Sequence, residues 1–351
     1  MNQPPTFIIS RPDAIGDVVL TLPVAGRLKQ LYLACRVVLL GRAYTQAVGE
    51  ACPWVDEFLS LDELQALPPA EQLRRLQAYR AHAFIHVFPN RQLAWLARRA
   101  GIPVRIGTRN RWWHWLTCNR LVALSRRHSP LHEAQLNLQL LAPLGQHSVM
   151  SLPAVAALVQ LQPAVPLASQ LQLLLAAREP GQLNVVLHPR SRGSAREWGL
   201  GHFAALARTL HQAGHRVFIS GTQAEGQELA NWLQENATYL AADLTGQLAL
   251  PEFIAFLAAA DGIVAGSTGP LHIAAALGRY ALGLYPPIRP MHPARWRPLG
   301  PRAKYLVFNR PDCQDCRANP SACACIKAIE VAAVAARVAT WTSLPPILNA
   351  T

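Results

Sequence analysis

Short apolar runs alternate with longer amphipathic stretches along most of the chain. TFIIS at 6–10 precedes a helix-like segment from Asp17 to Tyr32, and RVVLL follows at 36–40. AFIHVF at 83–88, a helical stretch through Arg99 and VRIG at 104–107 continue the alternation. Strand-like runs of this length separated by helical periods predict βαβ units and a parallel sheet. The pattern restarts with NVVL at 184–187, a helix from His202 to Ala213, RVFIS at 216–220, a helix from Ala224 to Asn236 and GIVAG at 262–266. A second doubly wound α/β domain is therefore expected. Ile326 to Thr340 reads as an apolar helix that closes the structure by docking across domains. Between Met150 and Gly181 the chain carries four prolines and no recognisable chemistry, as a linker would. The expected division is an N-terminal Rossmann-like domain with linker over 1–175 and a C-terminal one over 176–351.

Composition narrows the class. A chain of 351 residues is too long for one ordinary core, and 51% hydrophobic against 15% charged residues excludes a mainly disordered protein. No apolar run reaches the roughly 18 residues that a membrane-spanning helix needs. The N-terminus MNQPPTFIISRPDAIGD has neither a basic start nor a signal-peptide core, so a cytoplasmic location is expected. Seven cysteines, an odd count, do not resemble a secreted disulfide framework. Thirty-three basic residues, nearly all Arg, outweigh 20 acidic ones for a net +13. An anionic partner fits that excess, as does an Arg-rich genome composition. Neither a G-x-x-x-x-G-K-[ST] loop nor a G-x-G-x-x-G fingerprint after the first strand is present, which disfavours standard nucleotide hydrolases and dehydrogenases.

Ligands of open α/β sheets collect at the carboxyl ends of the strands, and three such loops stand out. SRPDAIGDVVLTLP at 10–23 places Asp17 where a helix begins, either as a carboxylate facing a cleft or as an N-terminal cap. HPRSRGSAREWGLGHF at 188–203 sets Arg190, Arg192 and Arg196 beside Ser191, Gly193 and Ser194. Small residues with guanidinium forks suit a diphosphate, whereas a solvated basic loop needs no ligand. AGSTGPLHIAAALG at 265–278 turns at Ser267, Thr268 and Gly269 and opens a helix with Pro270. Its free N–H groups make an anion site with His272 one turn along, unless the helix is simply capped and His272 packed. Residues 91–127 hold nine Arg, no Asp or Glu, and Trp95, Trp112, Trp113 and Trp115, a composition that also suits nucleic acid. Cys313, Cys316, Cys323 and Cys325 form C-x2-C-x6-C-x-C, a structural zinc arrangement or, preferred, a set of buried inert thiols.

Taken in order, IGDVVLTLP, HPRSRGSAREW, SGTQAE and GSTGPLHIAAALG resemble the heptosyltransferases of glycosyltransferase family 9, which build the inner core of lipopolysaccharide. The resemblance implies a GT-B fold, two Rossmann-like domains facing across a cleft, the first holding the acceptor and the second the nucleotide sugar. It implies inverting transfer of heptose from ADP-heptose to a lipopolysaccharide-core acceptor. Asp17 then matches the catalytic aspartate. Arg196 stands where the family usually has a Lys on the donor phosphates, and stabilises the leaving group. Ser191, Ser267, Thr268, Gly269 and His272 fall in the donor site, Glu225 matches a ribose-contacting acid, and Leu248 flanks the base. Arg91, Arg109, Arg111 and Arg120 would meet an anionic glycolipid acceptor at the inner face of the inner membrane. The resemblance requires no cofactor and allows a divalent cation; nucleic acid is not an expected partner. Two departures bear on the donor: Ser267 is Asp in some members, and Arg190 and Arg192 replace residues that are often small. The alternatives are a family 9 transferase for another activated sugar, or a non-catalytic protein binding a sugar nucleotide or nucleic acid.

Overall fold

The computed structural model describes residues 4–127, 129–311, 313–319 and 323–347. The chain forms two units, one through Leu161 and the other from Gln162. The division falls before residue 175 because the helix Ser169–Ala176 packs on the helix Leu250–Ala259 of the second unit. The Leu175 carbonyl also accepts from Asn184 Nδ2 at 3.0 Å. The apolar side of that segment thus belongs to the second core.

In the first unit β1 (Thr6–Ser10), β2 (Arg36–Gly41), β3 (Glu57–Ser60), β4 (Ala83–His86), β5 (Val104–Thr108) and β6 (Arg120–Val122) form one sheet in the order β3-β2-β1-β4-β5-β6. All pairs are parallel, with Phe7 opposite both Val37 and Ala83. β1 and β4 are buried along their whole length, which is why they read as unbroken apolar runs rather than alternating ones. The single helix expected over 17–32 is two, Ile15–Val19 and Leu22–Leu31. Pro23 has no N–H to continue the first helix, and the chain turns with Thr21 N donating to Val18 O at 2.9 Å.

The second unit repeats the plan with β7 (Asn184–His188), β8 (Arg216–Ile219), β9 (Ala242–Asp243), β10 (Gly262–Gly266), β11 (Tyr280–Tyr285) and β12 (Ala303–Val307). The order is β12-β11-β10-β7-β8-β9, again all parallel. In each sheet the strand order reverses between its first and fourth strands, β1/β4 and β7/β10. Such switch points open a crevice at the carboxyl ends. The helix expected over 326–340 breaks into Ala324–Lys327 and Val331–Val338. At the break the Ile329 carbonyl accepts from the buried Trp198 indole N–H at 2.8 Å. Val331–Val338 packs on the helix Leu200–Gln212 of its own unit, where Val334 and Val338 join Trp198 and Phe203 in the core. Among the described residues no helix is long and apolar enough to cross a membrane.

At the end of β4 the His86 ring is fully buried, 4.5 Å from the Phe84 ring and 5.5 Å from that of His114. Neither ring nitrogen has a hydrogen-bond partner among the described residues. Burial holds His86 neutral, well below the usual histidine range, and His114 and Arg105 add to the shift. The unfolded chain binds a proton there that the folded chain refuses, so stability falls as pH drops below the ordinary histidine value. His86→Phe is expected to remove about 1.4 kcal/mol of the difference between urea stabilities at pH 5.5 and 7.5. An unchanged difference would place the titration elsewhere.

Candidate active site

The loop after β1 builds a charge cluster at the first switch point. Ala14 occupies the cap position of the helix Ile15–Val19 and makes no side-chain cap bond. Asp17 lies in the first turn instead, and its Oδ1 accepts from Arg11 Nη2. Arg11 is buried; its Nε donates to Asp13 Oδ1 at 2.8 Å and its Nη1 reaches Glu133 Oε1 at 3.5 Å. Glu133, buried at the start of the helix Glu133–Gln139, also accepts from Arg126 Nε at 2.9 Å. Arg126 Nη2 reaches Asn137 Oδ1 at 3.0 Å and the Val87 carbonyl, just past β4, at 3.3 Å. Asn137 Nδ2 in turn donates to Leu20 O at 3.1 Å and lies 3.2 Å from Thr21 Oγ1. The network fixes the Asp17 turn to both strands of the switch point. Burial pushes Asp13 up to about 7, with Asp17 adding to the shift and Arg11 opposing it. Arg11, which holds Asp17 directly, and Asp13, Glu133 and Arg126, which are tied to it through Arg11, are the neighbours that sequence reasoning missed.

The loop after β7 is less basic than its sequence suggests, because Glu197 turns back on it. Glu197 accepts from Ser191 N at 3.0 Å and from Arg190 Nη1 at 3.1 Å. Ser191 Oγ lies 3.1 Å from Glu197 Oε1 and 3.0 Å from Ala195 O, so this serine braces the loop. Arg192 and Gly193 both take positive φ and turn the chain. Arg196 is buried, with Nε 3.4 Å from Cys316 Sγ and Nη2 donating to Cys316 O at 3.0 Å. It is a cation anchored on the backbone and sulfur of Cys316.

The loop after β10 lies directly against it. A Cβ on Gly266 would come within 3.4 Å of Arg196 O, so the backbones of the two loops touch at Gly266, while the Arg196 guanidinium stays on Cys316. Thr268, extended at φ −119°, ψ 165°, precedes the helix Gly269–Ala276 and makes no side-chain cap bond. The first N–H groups of that helix are therefore not capped by Thr268, a setting that receives anions. His272 is buried in the same helix. Glu225 is buried and committed in part: its Oε2 accepts from Thr222 N at 2.7 Å and sits 3.0 Å from Thr222 Oγ1, the capping box of the helix Gln223–Asn236. Leu248 is half-buried just before Leu250–Ala259.

Arg91, Arg109, Arg111 and Arg120 are exposed. Arg91 lies over the Trp112 ring at 5.0 Å and Arg111 over Trp113 at 5.7 Å. Cys313, Cys316, Cys323 and Cys325 are all buried in the second core, with the Cys313 and Cys325 sulfurs 3.5 Å apart. Burial raises Cys323 to about 11. Among the described residues no group of three or more His, Cys, Asp or Glu side chains is placed to hold a metal ion.

Two Rossmann-like units of matching topology, each with its working loops at a switch point, define the GT-B class of fold. The structure of Escherichia coli ADP-heptose LPS heptosyltransferase II superposes with a TM-score of 0.73, covering 95% of this chain and 97% of its own, at 19% identity. A family model, glycosyltransferase family 9 (heptosyltransferase), matches residues 71–327, and the chain belongs to that family. A Haemophilus influenzae relative described as "Putative glycosyltransferase" is 27% identical over 323 residues, 89% of this chain and 91% of its own. Lipopolysaccharide heptosyltransferase 2 of E. coli K12 is 32% identical over 101 residues, 28% of this chain and 29% of its own.

Proposed function

We propose that this glycosyltransferase transfers heptose from ADP-heptose, with inversion, to a lipopolysaccharide-core acceptor at the inner face of the inner membrane. The observation that carries the reading is the Asp17 carboxylate, held at the first switch point by buried Arg11. Arg11 occupies Oδ1 and leaves Oδ2 for an acceptor hydroxyl. In the proposed step the acceptor oxygen bonds to the anomeric carbon while Asp17 takes its proton. The bond from that carbon to the phosphate oxygen breaks, and its electron pair leaves with ADP. A single displacement from the opposite face inverts the anomeric centre.

The second unit holds the nucleotide sugar in this reading. The N-terminus of Gly269–Ala276, with Ser267 and Thr268, receives the diphosphate. Arg196 steadies the developing charge from its seat on Cys316, Ser191 keeps the loop in place, and Glu225 Oε1 meets the ribose. Leu248 flanks the base, and His272 lines the diphosphate turn. Arg91, Arg109, Arg111 and Arg120 attract the anionic acceptor. The step uses no redox or group-carrying cofactor and leaves room for a divalent cation on the diphosphate. The choice of ADP and heptose rests on likeness to the E. coli relative described as acting with ADP-heptose.

Thermal unfolding with ADP, UDP, GDP or CMP tests the donor. ADP at about 100 times its Kd is expected to stabilise the protein by about 2.7 kcal/mol, a clear rise in Tm, with little effect of the others. Preference for UDP or GDP would keep the fold and replace the sugar. No shift with any of the four would favour a protein without transferase activity.

A further inference from the structure

The helix Trp112–Thr117 is amphipathic in the reverse sense for a globular surface. His114 and Thr117 are buried, and His114 Nδ1 lies 3.0 Å from Thr108 N, fixing the helix to the sheet. Trp112, Trp115 and Leu116, spaced to share one helix face, are 57%, 61% and 52% exposed. A cluster of three large apolar side chains held outward marks an interaction surface rather than scattered surface hydrophobics.

Its surroundings select the partner. Arg91 covers Trp112, Arg111 lies over Trp113, and the Trp115 indole N–H donates to Arg109 O at 2.9 Å. Arg91 also lines a cavity of about 430 Å³, together with Arg99, Trp95, Leu96 and the neutral Gln72 and Gln92. No Asp or Glu occurs anywhere from 91 to 127. An anionic bilayer offers phosphates above an acyl layer, complementary in sign to the arginines and in polarity to the aromatic tip. A nucleic acid would match the charge and the rings but has no place for Leu116.

We propose that this face docks the N-terminal unit onto an anionic phospholipid surface. Trp112, Trp115 and Leu116 enter the headgroup–acyl boundary, Arg109 and Arg111 pair with lipid phosphates, and one headgroup seats between Arg91 and Arg99. The inference builds on the membrane-side acceptor of the proposed function; its test uses vesicles without glycolipid, so the two can fail separately.

The full chain is sedimented with phosphatidylcholine vesicles containing increasing phosphatidylglycerol. Binding is expected to grow with the anionic fraction and to fall with salt. Replacing Trp112, Trp115 and Leu116 together by Ser is expected to weaken binding at least about tenfold. Arg111→Gln should weaken it roughly fivefold. These side chains are exposed, so Tm should hold in both variants. Failure to bind the anionic vesicles, equal binding to pure phosphatidylcholine, or wild-type binding by the triple variant would overturn the proposal. So would tight binding of duplex DNA by a protein that ignores the vesicles.

Discussion

Asp17→Asn is expected to lower kcat about a thousandfold while leaving ADP affinity unchanged. The amide oxygen can still accept from Arg11, so the turn at the end of β1 should keep its shape; only the capacity to take a proton is lost. The proposed ADP-binding residues belong to the other unit, so calorimetric titration with ADP serves as the internal control. A loss in kcat with intact nucleotide binding separates chemistry from folding. Turnover within tenfold of wild type would remove Asp17 as the base. If Asp13→Asn abolished transfer instead, the neighbouring carboxyl, pushed up to about 7 by burial, would take that role.

How far the fold could be read depended on where each strand lies in its sheet. β1, β2 and β10 are buried central or near-central strands, and their continuous apolar runs locate them without structural help. β3, β6, β9 and β12 lie at or beside the edges, are short or carry charge, and owe their strand form to pairing, as Arg120 does opposite Ile106. β11 was missed for a different reason: Gly283 weakens its pattern, yet a side chain there would collide with the Tyr285 ring and Leu271. The two units divide at Leu161 rather than near 175 because prolines report a local break, whereas Ser169–Ala176 is claimed by distant packing.

The same distinction governs the candidate site. Asp17, the Arg-rich loop and the Ser267–Thr268 turn were legible because a strand running into Gly, Asp or Pro at a helix start is a local signal. The capping use of Glu225 was also there to be read, in the spacing from Thr222. Glu133 on Arg11 and Cys316 on Arg196 lie more than a hundred residues from their partners, and no periodicity announces such a pair. Asp13 was local but unread, since its consequence depends on Arg11 being buried between it and Glu133.

Arg11→Met is expected to reduce stability by about 3–5 kcal/mol at pH 8. Arg11 is 4% exposed and its guanidinium balances Asp13, Asp17 and Glu133; methionine keeps much of the apolar stem and removes the charge. The carboxylates then repel one another, with Arg126 still paired to Glu133. The proton affinity of Asp13, already raised in the wild type, should rise further in the folded variant once Arg11 no longer opposes it. A folded carboxyl that holds its proton above the unfolded value contributes negatively to the slope of stability against pH, so stability is lost as pH rises through that window. The deficit of Arg11→Met relative to wild type should therefore shrink between pH 8 and pH 5.5, as neutral carboxyls need no counter-charge. The contributions of His86 and His114 to the pH dependence are the same in both proteins and cancel in the comparison. Urea denaturation at the two pH values reads the effect directly. An equal deficit at both would assign the loss to packing around the side chain rather than to charge.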